Sequence, residues 1–225
     1  DYHEEIAREL ADQIKSLLPK EKEQLNVLIV GLGNREVTAD SLGPRVVDNL
    51  TITRHMVMEF GNAAYEGRKL PLTSSLVPGV MAQTGMETME IIRGVIRETD
   101  PDAVIAIDAL AARSVRRLNC TIQVTDTGIN PGSGVCNHRC GLNEESLGIP
   151  VIGIGVPTVV DGATIVHDAI AHLLENLEES EMEEFLQELI TPRLHSMFVT
   201  PKDVDETVKR LSYTISEGIN IAMEA

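Results

Sequence analysis

Two aspartates stand where apolar runs of the chain give out, and they offer the most chemistry. The run Leu25–Val30 breaks into Gly31-Leu32-Gly33-Asn34, and the loop that follows carries Thr38, Asp40 and Ser41 to Gly43-Pro44. The run Ala103–Ile107 ends directly on Asp108. Read as buried strands of an open sheet, the two runs deliver both side chains to carboxyl ends, where such sheets place their ligands. Carboxylates brought close together there cannot both ionise freely. One keeps its proton, and the pair can serve as general base and general acid around a water. That is the chemistry of a carboxylate-pair hydrolase. The competing reading is structural: Asp and Ser are good N-caps, Pro44 suits a first helical turn, and each aspartate could simply start a helix.

The remaining motifs are weaker. Asp126-Thr127-Gly128 repeats the triplet of pepsin-like proteases, but those are all-β enzymes that need two copies, and this chain has one. Asp126 is therefore a loop organiser and a third-choice site residue. Gly31-Leu32-Gly33 suggests a dinucleotide loop, yet the third glycine is replaced by Glu36 and no helix opens at once. His167 and His172 are five apart, off the spacing that a shared metal face wants. Gly132-Ser133-Gly134 lacks the strand-to-helix setting of a serine-nucleophile elbow. Cys120, Cys136 and Cys140 form no C-x-x-C pair, and His138 does not complete a zinc set, so reduced thiols are expected.

The elements that must position these residues follow from periodicity. Ile6, Leu10, Ile14, Leu17 and Leu18 share one face of a helix over 1–18. A strand at Leu25–Val30 leads through the Asp40 loop to a helix around Pro44–Leu50. Residues 51–80 are less regular, with a short strand near Leu70–Val77. Thr84 is expected to open a helix to about Arg97, ahead of the strand Ala103–Ile107. Thr121–Val124 alternates as a half-exposed strand, and a turn-rich loop runs from Asp126 to Leu142. Val151–Val156 is a further buried strand, followed by a helix through Leu177. Val204, Val208, Leu211, Ile215 and Ile219 mark a last amphipathic helix. Buried strands alternating with helices predict an α/β fold, a sandwich with a mainly parallel sheet.

Composition narrows the function classes. With 19 basic against 35 acidic residues the formal net charge is −16, and no basic stripe is present, so direct nucleic-acid binding is not expected. No signal peptide or long apolar span appears, which predicts a cytoplasmic protein without a membrane partner. The chain opens on Asp1 rather than Met, and is read as a processed or partial product.

Longer blocks carry a more specific signal. VGLGNREVTADSLGP at 30–44, VIAIDALAAR at 104–113, TDTGINPGSGVCNHR at 125–139 and GIPVIGIGVPTVVD at 148–161 resemble the germination proteases of spore-forming bacteria. PGVMAQTG at 78–85 and FVTPKDVD at 198–205 extend the match. The resemblance implies an atypical aspartic endopeptidase that degrades small acid-soluble spore proteins in the spore core during germination. It implies a three-layer α/β sandwich with a mixed, mainly parallel sheet, similar to hydrogenase-maturation endopeptidases. Residues 1–225 would form one peptidase domain, with the helices 1–18 and 203–223 packed on it. The family's catalytic pair matches Asp40 and Asp108, with Asn34, Asp126, Gly132, Ser133 and Gly134 as substrate-binding or supporting residues. No cofactor and no metal is implied. The family is made as a zymogen with an N-terminal prosegment and is similar to a homotetramer in its assembly. It runs longer than this chain between Leu177 and Thr191, and Cys136 and Cys140 depart from its pattern. Two alternatives stay open: a metal-dependent relative of the maturation peptidases, and a binding module that holds spore proteins without cutting them.

Overall fold

The computed structural model describes residues 2–130, 141–171, 194 and 196–224. In chain order the elements are α1 (Tyr2–Leu17), β1 (Asn26–Gly31), α2 (Leu42–Val47), α3 (Arg54–Phe60), β2 (Leu72–Leu76), α4 (Met81–Thr84), α5 (Thr88–Thr99), β3 (Ala103–Ala112), β4 (Gln123–Thr125), α6 (Glu144–Leu147), β5 (Val151–Asp161), α7 (Gly162–Ala171), β6 (Phe198–Val199) and α8 (Val204–Met223).

The strands make one sheet in the order β2-β1-β3-β5-β4, with β6 also pairing β5. β2, β1, β3 and β5 are parallel, while β4 and β6 run antiparallel to β5. The expected mixed, mainly parallel sheet is therefore present. The stretches Val27–Val30, Ala103–Ile107 and Val151–Val156 of its central strands carry no polar side chain because both faces are covered. On one face Val27, Ile29, Ile105 and Ile107 pack against Leu10 and Ile14 of α1, Leu42 and Val46 of α2, and Ile215 and Ile219 of α8. On the other, Leu28, Val30, Val104 and Ala106 meet Met89 and Ile92 of α5, together with Leu142. Period-2 alternation along β1 and β3 sorts these residues to the two faces.

Three expectations need correction. The helix read from Thr84 onward starts later: Thr84 is the last residue of the short α4, which stops at Gly85, where φ is +71°, and α5 starts at Thr88. The Glu87 N–H donates to the Glu90 carboxylate at 2.8 Å, so the α5 start is set by glutamates and not by Thr84. The irregular stretch after residue 50 contains α3. Most important, the strand that ends on Asp108 in the sequence reading continues to Ala112. Ala109–Ala112 is strand because β5 runs on beside it, pairing Ala112 with Val160. The helix after β5 is described to Ala171; its expected course to Leu177 lies outside the described residues.

Candidate active site

β1 stops before β3 does. Its last tie to β3 runs from the Leu32 N–H to the Ile107 carbonyl at 2.8 Å. From there β3 and β5 continue as a paired ribbon, which β6 joins at Val160 and Asp161. Asp108 is the first residue of β3 past that point, opposite Gly155 of β5. It is 3% exposed, and one of its carboxylate oxygens accepts the Ala109 N–H at 2.9 Å. Strand alternation puts its side chain on the face of Val104 and Ala106.

Asp40 reaches the same end of β1 through a folded-back loop. The Val37 N–H donates to the Asn34 carbonyl at 3.1 Å, and the Asp40 N–H to the Val37 carbonyl at 2.8 Å, making a short 3-10 turn over Thr38–Asp40. The Asn34 N–H then donates to the Asp40 carboxylate at 2.7 Å. The Asn34 side chain is engaged within the loop, its Oδ1 accepting the Glu36 N–H at 3.0 Å. Asn34 thus shapes the turn with its amide and holds Asp40 with its backbone. Arg35 forks onto Asp48 just past α2, which raises the guanidinium pKa through that hydrogen bond and braces the loop from outside.

Two glycines make the return possible. Gly33 has φ +113°, and a Cβ there would lie 2.0 Å from the Asp40 carbonyl oxygen and 3.2 Å from Oδ1. A Cβ on Gly43 would sit 2.4 Å from the Leu32 carbonyl oxygen and 2.7 Å from that of Ile107. Any side chain at either position would push the Asp40 turn or α2 off the end of the sheet.

The helix-cap reading does not describe either aspartate. Ser41 takes the N-cap position of α2, its hydroxyl donating to the Thr38 carbonyl at 2.8 Å and accepting the Arg45 Nε–H at 2.9 Å. Asp108 is followed by strand, so no helix starts there to be capped.

A residue that the sequence reading missed anchors the turn from below. The β3–β5 register shifts between Leu110 and Ala111, which face Pro157 and Val159, leaving Thr158 as the extra residue of a bulge. Bulges re-aim a side chain beside active sites. Here the fully buried Thr158 hydroxyl donates to the carbonyl of Ala39, the neighbour of Asp40. The readable signal was Pro157, which cannot donate to a ladder and so marks an irregularity in an otherwise apolar strand.

Asp126 is not brought to this place. It follows Thr125, which faces Gly153, whereas Asp108 faces Gly155. At about 3.3 Å per residue and roughly 4.8 Å per strand, it lies on the order of 10 Å away both along and across the sheet. It is exposed. Gly132, Ser133 and Gly134 lie outside the described residues, as do Cys136, His138, Cys140 and His172. Cys120 is a free, exposed thiol. Among the described residues no group of three or more His, Cys, Asp or Glu is placed to hold a metal ion, and no helix is long and apolar enough to cross a membrane.

Beyond Asp108 the ribbon borders a cleft of about 580 Å³, lined by Leu110, Arg113, Arg117, Gln123, Pro157 and Asp161 among others. The arrangement therefore combines two aspartates placed at one strand end, a rigid turn carrying one of them, and an adjoining cleft.

Comparison with known proteins agrees with the motif blocks. A family described as germination protease matches residues 1–177. The germination protease of Caldanaerobacter subterraneus subsp. tengcongensis is 44% identical over 100% of this chain and 74% of its own length. That of Clostridium acetobutylicum is 42% identical over 98% and 73%, and that of Bacillus subtilis 38% identical over 99% and 73%. Among solved structures, the chain is similar to the [NiFe] hydrogenase maturation protease HycI of Thermococcus kodakarensis, at 15% identity and a TM-score of 0.41, over 92% of this chain and 98% of that one.

Proposed function

The chain belongs to the germination protease family, and we propose that Asp40 and Asp108 are its catalytic pair, acting on one water as an aspartic endopeptidase of atypical type. The observation that carries the proposal is that both aspartates stand at the end of β1, Asp40 on the Gly33–Asn34 backbone and Asp108 one residue past the last β1–β3 bond. One aspartate, ionised, takes a proton from the water as its oxygen adds to the scissile carbonyl carbon. The other, protonated, hydrogen-bonds the carbonyl oxygen as negative charge develops there. Collapse of the tetrahedral intermediate breaks the C–N bond, and a proton passes to the leaving amine. The proposed substrates are the small acid-soluble spore proteins, consumed at germination.

The test is cleavage of a purified small acid-soluble spore protein by wild type, Asp40→Asn and Asp108→Asn, each with and without a chelator. Cutting by wild type alone, at the same rate in chelator, is the expected outcome. Cutting that persists in both variants removes the site assignment. Cutting abolished by chelator and restored by added metal transfers the chemistry to a metal-dependent peptidase. Substrate binding without cutting by wild type leaves a binding module.

A further inference from the structure

The end of β1 does more than make room beside Asp108: it leaves one edge of β3 without a strand partner next to both aspartates. In an extended strand the N–H and C=O of one residue point to the same side, and successive residues alternate sides. The Ile107 carbonyl points toward β1, since it accepts the Leu32 N–H. The Val104 N–H points toward β5, donating to the Pro150 carbonyl. Odd-numbered residues of β3 therefore face the β1 side and even-numbered ones face β5. Past Ile107, the groups on the β1 side are those of Ala109 and Ala111. The Ala109 N–H is held by the Asp108 carboxylate. The Ala109 carbonyl and the Ala111 N–H and carbonyl have no strand beside them, because among the described residues β1 is the partner on that side and its pairing ends at Ile107. Ala109, Leu110 and Ala111 are partly exposed, so solvent reaches this edge.

We infer that the substrate binds there as an extended peptide, adding a short strand to β3 in the line that β1 vacates. Main-chain pairing along a free edge is a general mode of peptide capture, with pockets for alternate side chains giving selectivity. The occupant is argued by continuity: the edge begins one residue from Asp108, so a peptide paired to Ala109 and Ala111 carries its main chain past the Asp40 and Asp108 carboxylates. The side chain of Leu110, between the two alanines, borders the Arg113, Arg117 and Asp161 cleft, which takes the substrate side chains that face that side of the sheet. The inference rests on the proposed peptidase reading and deepens it, by naming the backbone groups that align the substrate.

The experiment is an N-methyl scan. A peptide spanning one cut site, mapped by mass spectrometry on a small acid-soluble spore protein, is synthesised with single N-methyl groups at successive positions and its cleavage by the chain is measured. Paired to a strand edge, every second amide faces β3. KM should therefore rise about tenfold at alternate positions on one side of the cut and change little between them, since a lost hydrogen bond in a formed complex is worth roughly that factor. Uniform tolerance overturns the inference, and so does uniform loss, which marks steric exclusion without pairing. No cutting of the parent peptide or of the intact protein is failure of the peptidase reading itself. Ala111→Pro provides a second arm. Proline removes the N–H on the unpaired edge while leaving the β5 side of the ladder intact. The variant should melt cooperatively and raise KM about tenfold with kcat within roughly twofold of wild type. An unchanged KM in a folded Ala111→Pro protein contradicts the inference; if that variant does not fold, the scan on wild type decides alone.

Discussion

The hydroxyl of Thr158, the extra residue of the β5 bulge, donates to the backbone carbonyl of Ala39. A strand irregularity thereby fixes the height of the turn that presents Asp40, although Thr158 is more than a hundred residues away in sequence. Thr158→Val keeps the shape and removes the donor. It should cost about 1–2 kcal/mol of stability and lower kcat/KM by about tenfold, because a displaced catalytic group loses rate faster than a core loses stability. Thr158→Ser restores the hydroxyl and should recover most of the rate. Thermal melting and cleavage assays on the two variants check this; equal rates in Val and Ser variants would remove the anchoring role.

Gly33 tests the same turn from the other side. With φ +113° and a hypothetical Cβ at 2.0 Å from the Asp40 carbonyl oxygen, Gly33→Ala must displace the turn. It should destabilise the fold by about 2 kcal/mol or more and abolish cutting. Gly94 is the contrast. It lies exposed on α5 with nothing within 4 Å of its Cβ position, so Gly94→Ala should stabilise by about 0.5–1 kcal/mol with full activity. Denaturant unfolding of the two variants separates a glycine needed for conformation from one that is not.

A pH-dependent contribution comes from the far end of the sheet. Lys22 pairs with Asp102, which also accepts the Asn26 N–H at 2.8 Å and so ties the entrance of β1 to that of β3. The hydrogen bond to Asp102, followed by its charge, raises the Lys22 pKa above 10.5. A folded-state value above the unfolded one means the contribution is present at neutral pH and is lost as pH rises through the raised value. Wild type should exceed Lys22→Met in denaturant midpoint at neutral pH, and the two should converge above 10.5. A gap that is constant across that range contradicts the assignment.

The sequence revealed the sheet because its central strands, Leu25–Val30, Ala103–Ile107 and Val151–Val156, are unbroken apolar runs, and burial on both faces leaves no other pattern. Asp40 and Asp108 were legible as chemistry for the same reason: each stands where such a run stops. What could not be read was tertiary. Nothing local says that Ala109–Ala112 stays extended; an Ala-rich stretch favours helix, and only the partner strand β5 overrides it. Nothing local says that Asp126, with its protease-like triplet, falls on the antiparallel edge strand's exit, away from the other two aspartates. Thr158 was invisible because a threonine in a strand is ordinary, and its meaning depends on a register shift against Leu110 and Ala111.

The central claim is that Asp40 and Asp108 act as one unit on one water, and single-turnover kinetics of Asp40→Asn, Asp108→Asn and the double variant test it most directly. Residues that work together are strongly non-additive when removed. Each single variant should lose about 10³-fold or more in the cleavage step while still binding substrate, and the double variant should be no slower than the worse single one. Losses that multiply in the double variant, or a single variant that cuts at the wild-type rate, would contradict the account.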